Sequence, residues 1–186
     1  MIFKLVAMLF FSLLLDRGLL ITKRKRRGCV TTFSRHRFIK YPNLIRDFIA
    51  IAPNQLWVSD ITYIHLKDGF AYLSLITDAY SRKIVGFYLC RDLSAQGSLK
   101  ALKMALTNNP DRIGLIHHSD RGVQYCCNEY VKMLSAKNKI KISMTENGDP
   151  LENAIAERVN GILKQEWLEV EIFPDFDTKS FVKTKQ

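Results

Sequence analysis

Cysteine is scarce in this 186-residue chain, and its placement excludes the chemistry that cysteine usually announces. Cys29, Cys90, Cys126 and Cys127 form no C-x-x-C pair, the spacing of zinc and redox sites. Adjacent Cys126 and Cys127 cannot readily bridge each other. Reduced, buried thiols are the expectation. Also lacking is an apolar run long enough to span a membrane. Residues 1–15 (MIFKLVAMLFFSLLL) fall short of the ~18 apolar residues a spanning helix needs. Asp16, Arg17 and Gly18 follow, without the small-residue cleavage pattern of an exported chain. A cytoplasmic protein with no membrane partner is expected, and residues 1–16 read as the remnant of a truncated upstream region. No internal repeat or low-complexity tract appears.

Acidic residues are few as well, 18 Asp and Glu against 28 Lys and Arg, for a net charge of +10. The imbalance is local. Residues 17–50 hold Arg17, Lys23, Arg24, Lys25, Arg26, Arg27, Arg35, Arg37, Lys40 and Arg46 against Asp47, which is 10 − 1 = +9. Lys4 and Asp16 cancel, so residues 51–186 carry only +1. A nearly neutral domain follows a basic arm. Such an arm suits an acidic polymer, either nucleic acid or an anionic surface. What is abundant is core-forming material: 47% hydrophobic residues, with 11 Phe, 7 Tyr and 2 Trp. That composition excludes wholesale disorder.

Residues 17–53 lack a clear period and offer little apolar surface. They read as an extended arm, with one short helix near residues 44–49. From Asn54 the texture changes. Residues 56–65 (LWVSDITYIH), 70–77 (FAYLSLIT) and 83–90 (KIVGFYLC) are β-branched and aromatic segments, separated by turn residues, and predict an antiparallel meander. Ser94 reads as the N-cap of a helix that Asn108, Asn109 and Pro110 end. A strand at 113–117, an amphipathic helix at 124–137 and a strand at 139–144 follow. The last element is a helix over 151–168, with Ile155, Val159, Ile162, Leu163 and Trp167 expected on its buried face. The order β-β-β-α-β-α-β-α implies an α/β fold, a mixed five-stranded sheet flanked by helices. It is compatible with a ribonuclease-H-like topology.

Three carboxylates stand out on this frame. Asp60 interrupts an otherwise hydrophobic strand, where a buried carboxylate needs a partner, a proton or a metal. Asp120 directly follows the fourth strand, where crossover sheets place ligand sites. Glu157 lies in the last helix. Converging on one face, they could hold two hard cations ~3.5–4 Å apart for phosphoryl transfer. Each also has a plainer reading. Asp60 could be a strand-edge or capping residue, Asp120 a turn aspartate before Arg121 and Gly122, and Glu157 a solvated helix residue. His117 and His118 are expected to pack or hydrogen-bond at a strand end rather than bind metal.

Ordered motifs connect the three. Trp57-Val58-Ser59-Asp60-Ile61-Thr62-Tyr63, His118-Ser119-Asp120-Arg121-Gly122-Val123-Gln124-Tyr125, and Asn147-Gly148-Asp149-Pro150-Leu151-Glu152-Asn153-Ala154-Ile155-Ala156-Glu157 resemble those of bacterial insertion-sequence transposases with a retroviral-integrase-type (DDE) core. The resemblance spans about residues 13–173. It implies a catalytic and metal-binding triad of Asp60, Asp120 and Glu157 with two Mg²⁺ or Mn²⁺ ions, acting in DNA strand cleavage and strand transfer. The implied partner is DNA, with a homo-oligomer forming during synapsis. It also implies phosphate contact by Lys164, beside the basic arm residues Lys23, Arg24, Lys25, Arg26, Arg27, Arg35 and Arg37. The 36 residues between Asp120 and Glu157 are one more than the family usually has, and the extra residue is expected near 135–141. The resulting division is a hydrophobic segment (1–16), a basic DNA-binding arm or linker (17–53), an integrase catalytic core (54–173) and a truncated tail (174–186). Family members usually carry a helix-turn-helix before the arm and a further segment after the catalytic helix. The chain therefore looks clipped at both ends, and a catalytically inactive remnant that binds DNA non-specifically is the alternative reading.

Overall fold

The computed structural model describes residue 17 and residues 36–67, 69–146 and 154–163. Its five strands are β1 (Leu56–Leu66), β2 (Gly69–Asp78), β3 (Ile84–Cys90), β4 (Ile116–Ser119) and β5 (Lys141–Met144). The sheet order is β3-β2-β1-β4-β5. The first three strands pair antiparallel, while β4 runs parallel to β1 and β5 parallel to β4. β1 is therefore central and covered on both faces, which is why LWVSDITYIHL is apolar without strict alternation.

Helix α1 (Ala95–Asn108) packs on one face. That side holds the main core, with Trp57, Ile61, Ile76, Val85, Leu102 and Tyr130 among its members. Helix α4 (Ala154–Ile162) covers the other face, where Ala156 meets Leu56, Val58, Ala79 and Ile116. Between β4 and β5 lie two short helices, α2 (Val123–Cys126) and α3 (Asn128–Val131), and a π turn at Lys132–Ala136. The expected single helix over 124–137 is thus broken at Cys127. A π turn spans one residue more than an α turn between bonded groups. It offers a place where one extra residue between Asp120 and Glu157 is absorbed while β5 keeps its pairing with β4.

Three expectations need correction. The fourth strand begins at Ile116 rather than 113, because Ile113 is fully exposed in a turn that Gly114 closes with φ +75°. On α4, Ile155 and Leu163 pack against core clusters as expected, but Ile162 is 40% exposed and the fully buried residues are Ala156 and Asn160, four apart. Finally, no helix forms at 44–49. Residues 36–50 run as an extended strap with a single turn, in which the Phe48 N–H donates to the Ile45 carbonyl. Phe38 and Tyr41 pack on the main core, Ile45 and Ala50 on the α4 side. This part of the arm is docked. Among the described residues no helix is long and apolar enough to cross a membrane, and Cys90, Cys126 and Cys127 are free thiols. The calls on residues 1–16 and 174–186, on Trp167 and on Cys29 fall outside the described residues.

Candidate active site

The site grows out of the β1–β4 pairing. Leu56, Trp57 and Val58 pair with Ile116, His117 and His118. The pairing ends there, and two residues further along each chain lie Asp60 and Asp120, close enough for the Asp120 charge to bear on Asp60. Side chains alternate along a strand, so both carboxylates share the α4 face with Val58 and Ile116. Each is held by short local bonds. The Ile61 N–H donates to Asp60 Oδ1 at 2.8 Å, and the Gly122 N–H donates to Asp120 Oδ1 at 2.9 Å. From α4, the buried Asn160 amide donates to Asp60 Oδ2.

Crowding of negative charge is the main electrostatic feature. Burial, and then the neighbouring Asp120 charge, push the Asp60 carboxyl up to about 7. The Ile61 and Asn160 donors oppose that shift, and Glu157 adds to it. Contrast Asp78, which is fully buried where Asp60 is half-buried. Its oxygens accept from the Asn54 N–H, the Ser81 N–H and the Ser81 hydroxyl at 2.7 Å each. Asp78 staples a turn, whereas Asp60 keeps its charge problem unsolved. Two adjacent all-oxygen carboxylates, one resisting ionisation, suit a hard divalent cation that would relieve the repulsion. The fit is to a pair, not a cage. Among the described residues no three His, Cys, Asp or Glu side chains stand close enough together to hold a metal ion. Glu157 is exposed in the first turn of α4, near enough for its charge to bear on Asp60.

The two histidines before Asp120 point to opposite faces of the sheet. His117 Nε2 is 2.7 Å from Ser59 Oγ and 3.0 Å from the Tyr130 hydroxyl on the main-core side. Burial pulls its pKa down to about 3, so it stays neutral. His118 Nδ1 is 2.8 Å from Ser143 Oγ. Both serve packing and hydrogen bonding, as expected.

Sequence reasoning missed Asn160. Its signal is the position itself, one turn beyond Glu157 and four residues after Ala156, where the buried face of the helix calls for an apolar residue. Of the expected phosphate contacts, Arg37 is exposed on the strap. Lys23, Arg24, Lys25, Arg26, Arg27, Arg35 and Lys164 lie outside the described residues.

A mixed sheet of this order, with one aspartate inside its central strand, a second just past the neighbouring parallel strand and a helix laid across them, defines a ribonuclease-H-like core. The profile of the integrase core domain matches residues 50–150, and a second integrase core domain profile matches residues 138–180. The chain belongs to the integrase core domain family. It is 40% identical over 147 residues to an insertion element IS600 uncharacterized 31 kDa protein of Shigella sonnei, covering 78% of this chain and 54% of that protein. It is 34% identical over 160 residues to the transposase InsF for insertion sequence IS3A of Escherichia coli, covering 86% of this chain and 55% of that one. The chain thus spans about half the length of these relatives. Solved structures share the fold at low identity. A simian T-cell lymphotropic virus intasome chain aligns with a TM-score of 0.60 and 19% identity, over 83% of this chain and 53% of that one. The catalytic domain of Mos1 mariner transposase aligns with a TM-score of 0.56 and 14% identity, over 70% of this chain and 69% of that one.

Proposed function

We propose that this chain is the catalytic core of a DDE transposase, which cleaves DNA strands and transfers 3′-hydroxyl ends to target phosphates. The observation that carries the reading is the Asp60–Asp120 pair, at the end of the parallel strand and under the helix that bears Glu157. In this reading water first opens a phosphodiester and frees a 3′-hydroxyl. That hydroxyl then attacks a target phosphodiester. A new P–O bond forms as the old one breaks, so phosphodiester number is conserved in the second step.

In this reading the Asp60–Asp120 pair, joined by Glu157 from α4, would hold divalent cations, Mg²⁺ or Mn²⁺, two in number. When bound there, such ions sharpen the attacking oxygen and stabilise the leaving one. The chain's own residues set the stage. Asn160 and the Ile61 N–H orient the Asp60 carboxylate, and the Gly122 N–H orients that of Asp120. The alignment of InsF, named as a transposase, supports DNA as substrate. The HTLV-2 integrase catalytic core domain, in a dimeric form in complex with magnesium, shares the fold with a TM-score of 0.53. It supports a divalent ion and a homo-oligomer during synapsis. The basic arm of residues 17–53, with Lys164, supplies phosphate contacts, and the protein works in the cytoplasm.

The test is reversal of strand joining on a branched DNA with Mn²⁺. The wild-type chain should resolve the branch, and Asp120→Asn should abolish resolution without lowering the melting temperature. Equal resolution by both proteins would rule the assignment out. No resolution by folded wild-type chain would favour a remnant that only binds DNA.

A further inference from the structure

Residues 36–50 do more than lie against the core. They end at specific partners on either side of Asp120. His36 Nε2 donates to the Arg121 carbonyl at 2.9 Å. The Met144 N–H donates to the Pro42 carbonyl at 3.3 Å, one backbone bond between the strap and the edge strand β5. The Leu44 N–H donates to Ser143 Oγ at 2.8 Å. Two further strap bonds meet at Glu146, two residues beyond β5. Its Oε1 accepts the Asn43 N–H at 2.9 Å and its Oε2 accepts Arg46 Nη2 at 3.0 Å. Its backbone carbonyl accepts Arg121 Nη1 at 3.0 Å. Arg121 follows Asp120 directly, and the chain leaving Glu146 leads to α4 and Glu157.

We infer that Glu146 is a positioning residue, clasping the strap and the Asp120 turn at one point. The docked root of the basic arm thereby helps to set the carboxylate pair. The Arg46 ion pair is not the main holding force, because the Arg46 side chain is 64% exposed and exposed pairs are weak. The backbone bond from Asn43 and the Arg121 bond to the Glu146 carbonyl are the geometric constraints. The Asp120 turn has one internal check on its own order, the Gly122 N–H bonded to Asp120 Oδ1.

That amide is the readout. Hydrogen exchange would be followed in the full chain for Glu146→Ala, Glu146→Gln and Arg46→Ala. Glu146→Ala should speed exchange at Asn43 and Leu44 and, in step, at Gly122, while the β1–β2 amides stay protected. Glu146→Gln keeps an acceptor for the Asn43 N–H and should restore most of the protection. Faster exchange at Asn43 with Gly122 unchanged would overturn the inference, since the strap would then leave without disturbing the site. If Glu146→Ala fails to fold, Arg121→Ala, which removes the bond to the Glu146 carbonyl, decides: exchange at Asn43 should speed, and unchanged exchange there would overturn the inference.

The activity arm rests on the transposase reading, and the exchange arm does not. On saturating branched DNA, Glu146→Ala should lower turnover about tenfold, well within the ~10²-fold that a 1 Å misplacement can cost. The half-saturating DNA concentration should stay put. Loss of DNA affinity with turnover intact would count against positioning and for a direct DNA contact. A wild-type chain without turnover would defeat the transposase reading alone, leaving the exchange result to judge Glu146.

Discussion

Asp60 binds its proton more tightly in the folded chain than in the unfolded one. Its carboxyl stands at about 7, raised by burial and by Asp120, against an unfolded value of roughly 3.9. Below pH ~4 both states are protonated and the site costs nothing. As pH climbs toward 7 the unfolded chain gains the free energy of ionisation while the fold resists, so stability is lost through that window. Asp60→Asn removes the penalty. Without divalent cations, the variant should melt above wild type at pH 8 and level with it at pH 4. Adding Mg²⁺ at pH 8 should raise the melting temperature of wild type only. A pH-independent difference in melting curves would mean that Asp60 is not the titrating group. Asn160→Ala should act from the other side. It removes a donor that favours the carboxylate, so activity should fall by about 10–100-fold, as for other residues that orient metal ligands. Steady-state turnover across a Mn²⁺ titration would reveal it. Asp60 and Asp120 were legible in the sequence because a strand interior and a strand end are odd places for bare carboxylates. Asn160 was not, because a lone amide in a helix says nothing until the strand opposite is known.

Among the elements, α1 and β3 approach each other closely at Gly86. A Cβ on Gly86 would run into the Ala101 carbonyl oxygen and come within 2.8 Å of Ala105 Cβ. Backbone and a buried side chain cannot yield as a flexible side chain can. Gly86→Ala should therefore cost about 1–3 kcal/mol, the range for overpacked cores. Chemical denaturation should show a lower midpoint with little change in slope. The hairpins of β1, β2 and β3 could be read from sequence because β-branched runs and turn residues act locally. The start of β4 could not, because an apolar Ile113 imitates a strand residue while Gly114 turns the chain. The α4 face was misjudged at Ile162 for a related reason. Hydrophobicity ranks Ile162 above Ala156, but close packing over Leu56 and Val58 selects the small side chain. The break at Cys127 and the π turn at Lys132–Ala136 answer to the spacing between β4 and β5, which no local pattern records.

At the scale of the whole molecule, the arm divides into two parts with different work. The charge segregation was plain from the sequence. The docking of residues 36–50 was hidden, because Phe38, Tyr41 and Ile45 find their partners far along the chain. The densest basic cluster, Lys23 to Arg27, precedes that docked root. If the cluster grips DNA, its five charges release condensed counterions on binding. The slope of log affinity against log salt should then flatten by about 4–5 when all five become alanine, at roughly 0.9 per phosphate contact. Arg37, exposed on the strap, should contribute about one further unit by the same rule. Because the strap stays docked in the five-fold variant, turnover on DNA bound at low salt should be nearly unchanged. Fluorescence anisotropy across a salt series, paired with the branched-DNA assay, measures both quantities. An unchanged slope would remove the arm from the DNA interface. A flattened slope with lost turnover would mean that the cluster delivers the DNA into the site as well as holding it.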